Sequence, residues 1–515
     1  MICPRKRRGK EVDGRFAKPV WTKSSPSWQE IDARLPSEHL ARRIDWLVDR
    51  LDVRMLFASY DGRGSRAHRP DLLLKMVLYE IECGKPSPAE WWRDARENDT
   101  VKWLMFGIRP CRAAGYEFRD RVASYWDSWN EQVLQMARQE GCKLGGRGAL
   151  DGTLVAALAS RHKLLNQKTL EARMVELRKT IAAEQKQEGV GQLPSWMAKH
   201  PTTRIQQEQR YQAAWAQMQQ LLAENRKRAA SDRKKPEKIV VSVSDPETAV
   251  GRDKLKVFRP LYNVQLVYDL DSPFITAYEV FPWQNDAGTV EPMLERCAEL
   301  TGRKPEAWLA DSAYAGGPDL AVCDHHAVTL YAPVGENDFS NRKRRSKKPP
   351  QIPKKEFAWL PEEKTYRCPE GHLLRPRTTT SVWHFGDRTT LQTTFRCPPK
   401  FCQECSRKSA CTSNPQGGRT ISRLEHEDLI EQLRRRMETP EAKALYKLRR
   451  QTVELRYADL KEHRSLRRFT GHGLRRARAQ IAALVLAHNL LALSRIPEPE
   501  KPTPAYAGVP EKIPP

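Results

Sequence analysis

Two short apolar runs, LDGTLV and LADSAY, each set one aspartate, Asp151 and Asp311, after strand-like residues and before small ones. The first belongs to GALDGTLVAALAS (148–160), which has the texture of a buried strand running into its next element. Between the two lies PLYNVQLVYDLDSPFITAYEVF (260–281), two β-rich runs around Asp269-Leu270-Asp271-Ser272-Pro273, a hairpin pattern. TVEPMLERCAELTG (289–302) reads as a helix with a glycine stop, and PEAWLADSAYAG (305–316) and AVTLYAPV (327–334) as strands. Strand, hairpin, helix, strand and strand predict an α/β core, a mixed sheet with helices on its faces.

The rest of the chain is built around that core. Residues 1–30 read as a basic, disordered arm. Residues 31–140 form an N-terminal helical domain from SEHLARRIDWLVDRL, RPDLLLKMVLYEIECGK and SPAEWWRDARENDTVKWLMFG. The last of these opens with Ser87 as N-cap, Pro88 at N1 and Glu90 at N3. Residues 161–237 are charged and Gln-rich, which predicts an inserted pair of long, solvated helices, antiparallel to each other. Residues 336–424 hold a basic, Pro-containing linker and a cysteine-rich insertion. The core is therefore assembled from 141–160, 238–335 and 425–495, followed by a Pro-rich, disordered tail (496–515).

The composition limits the partners. With 515 residues, 89 Lys and Arg against 64 Asp and Glu, the chain carries a formal charge of +25, which points to a polyanion, most simply nucleic acid. The stretch IAALVLAHNLLAL (481–493) is too short to span a bilayer, and the basic N-terminus lacks the apolar run of a signal peptide, so no membrane partner and a cytoplasmic, nucleoid-associated location are expected. Eleven cysteines, four of them crowded into 397–411, fit a reducing compartment with one metal site better than a disulfide framework.

Carboxylates presented by a rigid sheet are well placed to bind hard divalent ions, although a single strand-end aspartate is also an ordinary cap. A third acid lies in ALYKLRRQTVELRYADLKEHRSLRRF (444–469). At about 100° per residue, Arg450, Glu454, Tyr457 and Lys461 fall within about 80° of Tyr446, while Arg449 lies about 60° to the other side. One acid framed by cations and aromatics is either a solvated, ion-paired face or a metal-ligating glutamate flanked by phosphate clamps. Asp245 and Asp286 are rival acids, with turn or helix capping as their expected job.

In that order, LDGT, YNVQLVYD, LADSAY, YKLRRQTVELRYADLK and GHGLRRARAQIAALVLAHNLL resemble the bacterial insertion-sequence DDE transposases of the insertion-sequence-four/five-like superfamily. Residues from about 55 to 125 resemble the N-terminal helical domain of those enzymes. The resemblance implies an RNase H-like core in which Asp151, Asp311 and Glu454 form the catalytic triad. It further implies two Mg²⁺ ions, with Mn²⁺ able to substitute, acting on double-stranded DNA at transposon ends and target, and a homodimer on that DNA. Tyr446, Arg450 and Lys461 would hold DNA phosphates, and Trp283 is placed to stack on a flipped base, with half-buried packing as its plainer role. The family signature sets Arg three residues after Tyr and Glu four after Arg. Here Glu454 stands one residue too far, which leaves Arg449 and Arg450 both open as the signature arginine.

YRCPEGH (366–372) and FRCPPKFCQECSRKSACT (395–412) contain a C-x-x-C knuckle and further thiols, the composition of a zinc-ribbon-like site. The expected ligands are Cys368, Cys402, Cys405 and Cys411, with Cys397 or His372 as substitutes. The function expected is Mg-dependent cleavage and strand transfer at the ends of an insertion sequence. Its alternatives are a non-catalytic DNA-binding protein on the same scaffold and an RNase H-like nuclease without strand transfer.

Overall fold

The computed structural model describes residues 15–63, 65–335, 352–385, 388–412 and 414–496. The first part of the expected arm, the basic run Arg342–Arg345 with Lys347–Lys348, and the Pro-rich tail beyond Ile496 lie outside the described residues. The chain divides into two units, residues 1–144 with 271–276 and 482–515, and residues 145–270 with 277–481.

The first unit is helical: α1 (Pro26–Arg34), α2 (Leu40–Asp49), α3 (Arg54–Ala58), α4 (Pro70–Glu82), α5 (Pro88–Glu97), α6 (Asp99–Leu104), α7 (Arg112–Val122) and α8 (Trp126–Gln139). α4 is buried on every side, with Leu74, Met76 and Leu78 fully enclosed. Its one cation, Lys75, is buried and meets Asp45 and Asp49 of the α2 helix at 2.5 and 2.9 Å. The capping box at Ser87 and Glu90 forms as the pattern predicts. The expected single helix over 87–107 does not form. Asn98 ends α5 and starts α6, its Oδ1 accepting the Thr100 amide at 2.9 Å, so a short polar side chain divides the stretch in two. Residues 15–30 also belong to ordered structure, since Phe16 is buried and Ala17 bonds to the Ala67 carbonyl at 2.8 Å. Asn489 binds both backbone groups of Ile275, which ties 271–276 to 482–496 within this unit.

The second unit holds the sheet. Its strands are β1 (Arg147–Ala156), β2 (Leu164–Asn166), β3 (Val240–Ser242), β4 (Ala249–Arg252), β5 (Phe258–Asp269), β6 (Ile275–Phe281), β7 (Ala307–Leu309) and β8 (Thr329–Tyr331). The order is β4-β5-β1-β7-β8, with β6 also paired to β5. β5 is antiparallel to β1, whereas β7 and β8 run parallel to it. The mixed sheet is the α/β arrangement the sequence predicts. Between β2 and β3, which pair at its base, α9 (Gln167–Gln185) and α10 (Pro201–Lys227) form the inserted hairpin. They are antiparallel, since Arg178 meets Glu208 at 3.1 Å and Arg204 pairs with Glu184. α11 (Val290–Thr301) stops at Gly302, whose φ of 68° makes it a left-handed cap. Together with α12 (Gly317–His325), it covers the sheet through Met293, Leu294, Cys297 and Leu320.

The cysteine-rich segment is a five-stranded sheet of its own. β9 (Ala358–Leu360), β10 (Thr365–Arg367), β11 (Leu373–Phe385), β12 (Arg388–Arg396) and β13 (Thr420–Leu424) are ordered β13-β12-β11-β10-β9. Two short helices, α13 (Pro399–Glu404) and α14 (Lys408–Cys411), carry Cys402 and Cys411, and Cys405 caps the first. The chain then returns through α15 (Glu427–Glu438), α16 (Pro440–Arg449), one π-helical turn (Arg450–Glu454), α17 (Leu455–Glu462) and α18 (Leu474–Leu493).

Candidate active site

The acids converge because of strand register. Ala149 of β1 lies opposite Leu309 of β7 in a parallel pair. Asp151 follows two residues further along β1, and Asp311 two residues beyond Leu309, where β7 has ended. Asp311 leaves its strand there and caps the following turn, its Oδ1 accepting the Ala313 amide at 2.7 Å. Asp151 stays on the strand, where burial, then Asp311 and Asp286, push its carboxyl up against the pull of Arg449, to about 6.

The third acid arrives through the π turn. Arg449 donates from Nη2 to Asp151 Oδ1 at 2.8 Å and from Nη1 to Glu454 Oε1 at 2.9 Å. Its side chain is only 10% exposed. Burial disfavours its charge, and Asp151, then Tyr446, Asp311 and Glu454 outweigh that and raise its pKa. A π turn takes one residue more than an α turn. The extra residue between Tyr446 and Glu454 is therefore absorbed locally, and the arginine that meets the acids is Arg449. Arg450 stands exposed. The even 100° wheel, which set Arg450 on the stripe, fails at this turn.

Below it, Tyr457 is buried and its hydroxyl lies between the Asp151 carbonyl (2.7 Å) and the Val264 carbonyl (3.0 Å), fastening α17 across β1 and β5. Lys461 donates to Thr153 Oγ1, two residues along the strand from Asp151. Burial, then Lys254 and Arg467, bring its pKa down to about 8. Tyr446 is half-buried beside Arg449, and burial raises its phenol. Trp283 packs against the core and tilts on Phe281 with ring centres 4.6 Å apart.

A fourth carboxylate stands here. Asp286, expected to cap a turn, turns its Oδ1 to Asn263 Nδ2 (2.9 Å) and Gln265 Nε2 (2.7 Å). Tyr314 donates to the Oε1 of the same glutamine. Burial raises the Asp286 carboxyl, and Asp311 adds to this. The cluster passes so close to Gly152 that a Cβ there would lie 2.2 Å from both Asp286 Oδ1 and Gln265 Nε2. The glycine after Asp151 is what lets the polar group approach. The signal for Asn263 and Gln265 was present, as two polar residues at alternate positions of an otherwise apolar strand. Asp245, the other rival acid, is structural: it is buried and accepts from the Tyr262 hydroxyl (2.8 Å) and the Gly473 amide (2.9 Å).

Cys368, Cys397, Cys402, Cys405 and Cys411 all line one cavity of about 20 Å³ with His372, room for little more than a water or a single ion. No described cysteine is disulfide-bonded. Burial, then the neighbouring Cys402, Cys368 and Cys411 thiols, push Cys397 up to about 12. As placed, no three His, Cys, Asp or Glu side chains among the described residues form a group that holds a metal ion. The chemistry of both donor sets nonetheless fits one: mutually repelling carboxylate oxygens suit a hard cation, and crowded thiols a soft one.

Residues 367–494 match the family model of the transposase DDE domain. That segment takes in β11–β13, the cysteine helices and the Glu454 helix, and supports a DDE transposase; Asp151 and Asp311 lie outside it. No curated protein and no solved structure matches the chain. No helix among the described residues is long and apolar enough to cross a membrane.

Proposed function

We propose that this chain is a DNA transposase that binds the ends of its own insertion sequence and catalyses Mg-dependent strand cleavage and strand transfer. The observation that carries the reading is one buried arginine, Arg449, bonded to both Asp151 and Glu454, with Asp311 among the charges that favour its protonated form. It links Asp151 of β1 to Glu454 of its own helical segment, with the Asp311 charge close enough to act on it. The mixed sheet, with Asp151 on β1 and Asp311 just past the end of its parallel neighbour β7, supports the RNase H-like reading of the core.

Asp151, Asp311 and Glu454 would hold two Mg²⁺ ions, with Mn²⁺ as a substitute. Bound there, they would activate a water or a 3′-hydroxyl and stabilise the leaving oxygen of an in-line displacement. The protein's own part is positional. Arg449 balances the acids and fixes their spacing, Tyr457 holds the glutamate helix on the sheet, and Tyr446 and Lys461 face the phosphates, positioning DNA rather than reading sequence. Exposed Arg450 would add a more distant phosphate contact. Trp283 would serve a splayed base only by leaving its packing. The cysteine cavity would hold one zinc, with Cys397 as candidate ligand beside Cys368, Cys402, Cys405 and Cys411. A homodimer acting on DNA in the nucleoid completes the reading.

The test is strand transfer into a supplied target duplex from a substrate carrying the ends that flank the gene. Asp151→Asn, Asp311→Asn and Glu454→Gln each lower cleavage by at least about 10³-fold while leaving DNA affinity within about twofold. Cleavage without joined product would instead indicate a nuclease, and salt-sensitive binding without cleavage a non-catalytic DNA-binding protein.

A further inference from the structure

On the cysteine-rich sheet, a polar groove of about 480 Å³ is lined by Arg377, Arg396, Arg419, Thr412, Asn414 and Thr420, together with two glycines. No carboxylate lines it. The groove follows from the strand pairing. Arg375 of β11 lies opposite Arg396 of β12, and a register shift between Pro376 and Thr378 leaves Arg377 as the additional residue. Such a bulge re-aims a side chain, and here Arg377 joins Arg396 in one wall. Arg396 Nε is buried and has no hydrogen-bond partner. Three arginines in a groove edged with hydroxyls and an amide, and free of carboxylates, are chemically set for an anion's oxygens. Arg419 is anchored, donating to the carbonyls of Cys411 (2.8 Å) and Ile352 (2.9 Å). Arg419 and Thr412 also line the cysteine cavity, so the groove shares a wall with it.

We propose that this groove is a second DNA contact, in which Arg377 and Arg396 grip a backbone phosphate of the duplex away from the Asp151 cluster. The inference rests on the transposase reading for the identity of the polyanion. It assigns the groove an affinity role independent of sequence, because phosphate contacts position and do not specify.

The experiment measures binding of the full-length chain to a labelled random-sequence duplex and to the end-bearing duplex, without Mg²⁺, over a range of salt. Each lost phosphate contact lowers the slope of log K against log salt by about 0.9. Arg377→Gln with Arg396→Gln, which loses the one phosphate the two share, therefore lowers it by about 0.9, equally on both duplexes. Arg367→Gln, exposed on the neighbouring β10 strand and outside the groove, leaves it unchanged. In parallel, an arginine-specific dicarbonyl reagent is applied to the unaltered chain, with duplex expected to shield Arg377 and Arg396 but not Arg367. That readout does not depend on how the variants fold. Unchanged slope in a folded double variant, or equal modification with and without duplex, overturns the groove alone. Binding to no duplex by the wild-type chain overturns the groove and the transposase reading together.

Discussion

The strand-end acids and the cysteine cavity belong to the same unit and gather ligand-type side chains in opposite ways. Around Asp151 the ligands carry charge, and a buried guanidinium holds them together. Around Cys397 the side chains are thiols, and burial and the neighbouring thiols favour the neutral form of Cys397, pushed up to about 12, and of Cys411. An acid cluster therefore needs its countercharge built into the chain before any ion arrives. A thiol cluster acquires charge only as a metal displaces its protons.

The largest expected effect lies on the thiol side. If the cavity is a zinc site, the isolated protein carries about one zinc per chain by elemental analysis. Its removal by a chelator then forfeits on the order of 10 kcal/mol of binding free energy, seen as unfolding of 352–424 and reaction of all five thiols. Protein with no zinc, whose cysteine segment is as protected from proteolysis with chelator as without, breaks that half of the comparison. On the acid side, Arg449→Met leaves two carboxylates without their cation and should cost about 3 kcal/mol in denaturant unfolding at neutral pH. Arg449→Lys, which keeps charge but not the fork, should recover only part of it. A wild-type midpoint for Arg449→Met would mean that the arginine does not hold the acids.

Smaller effects sharpen the picture. Gly152→Ala drives a methyl into Asp286 and Gln265, and should cost about 1–3 kcal/mol while disturbing only the acid side. Asp151 has its pKa raised on folding, to about 6. Its contribution to stability is thus fully present below its unfolded value, near 4, and is lost as pH rises through 6. Without divalent ions, Asp151→Asn should unfold later than wild type at pH 7.5 by about 1–2 kcal/mol, with the difference fading towards pH 4. A pH-independent difference would place the raised group elsewhere.

Much of the acid side was legible in sequence because strands announce themselves locally. LDGTLV, the hairpin of 260–281 and the glycine-stopped helix at 290–301 all form where their patterns indicate. The choice of arginine was not legible. It depends on one π turn, and a wheel of constant pitch cannot register the extra residue that sends Arg449 to Asp151. Asp286 was named as a rival acid with capping as its expected job, and its place beside Asp151 was not legible for a different reason. Its partners, Asn263 and Gln265, are distant in sequence, so only the folded sheet shows that FPWQND returns to Gly152. The thiol side was read from spacing, but spacing could not show that Cys397 lines the same cavity as the other four. Asn98 shows the limit at small scale, where one side chain that satisfies two amides was enough to split a helix.

The most direct measurement is cleavage of a duplex bearing the ends that flank the gene, titrated with Mg²⁺, by the wild-type chain beside Asp311→Asn. The account predicts cutting at the element boundary that rises with Mg²⁺ in the wild type and is absent in Asp311→Asn, at equal DNA binding. Cutting that Asp311→Asn retains, or a wild type that binds the ends and cuts with neither Mg²⁺ nor Mn²⁺, would contradict it.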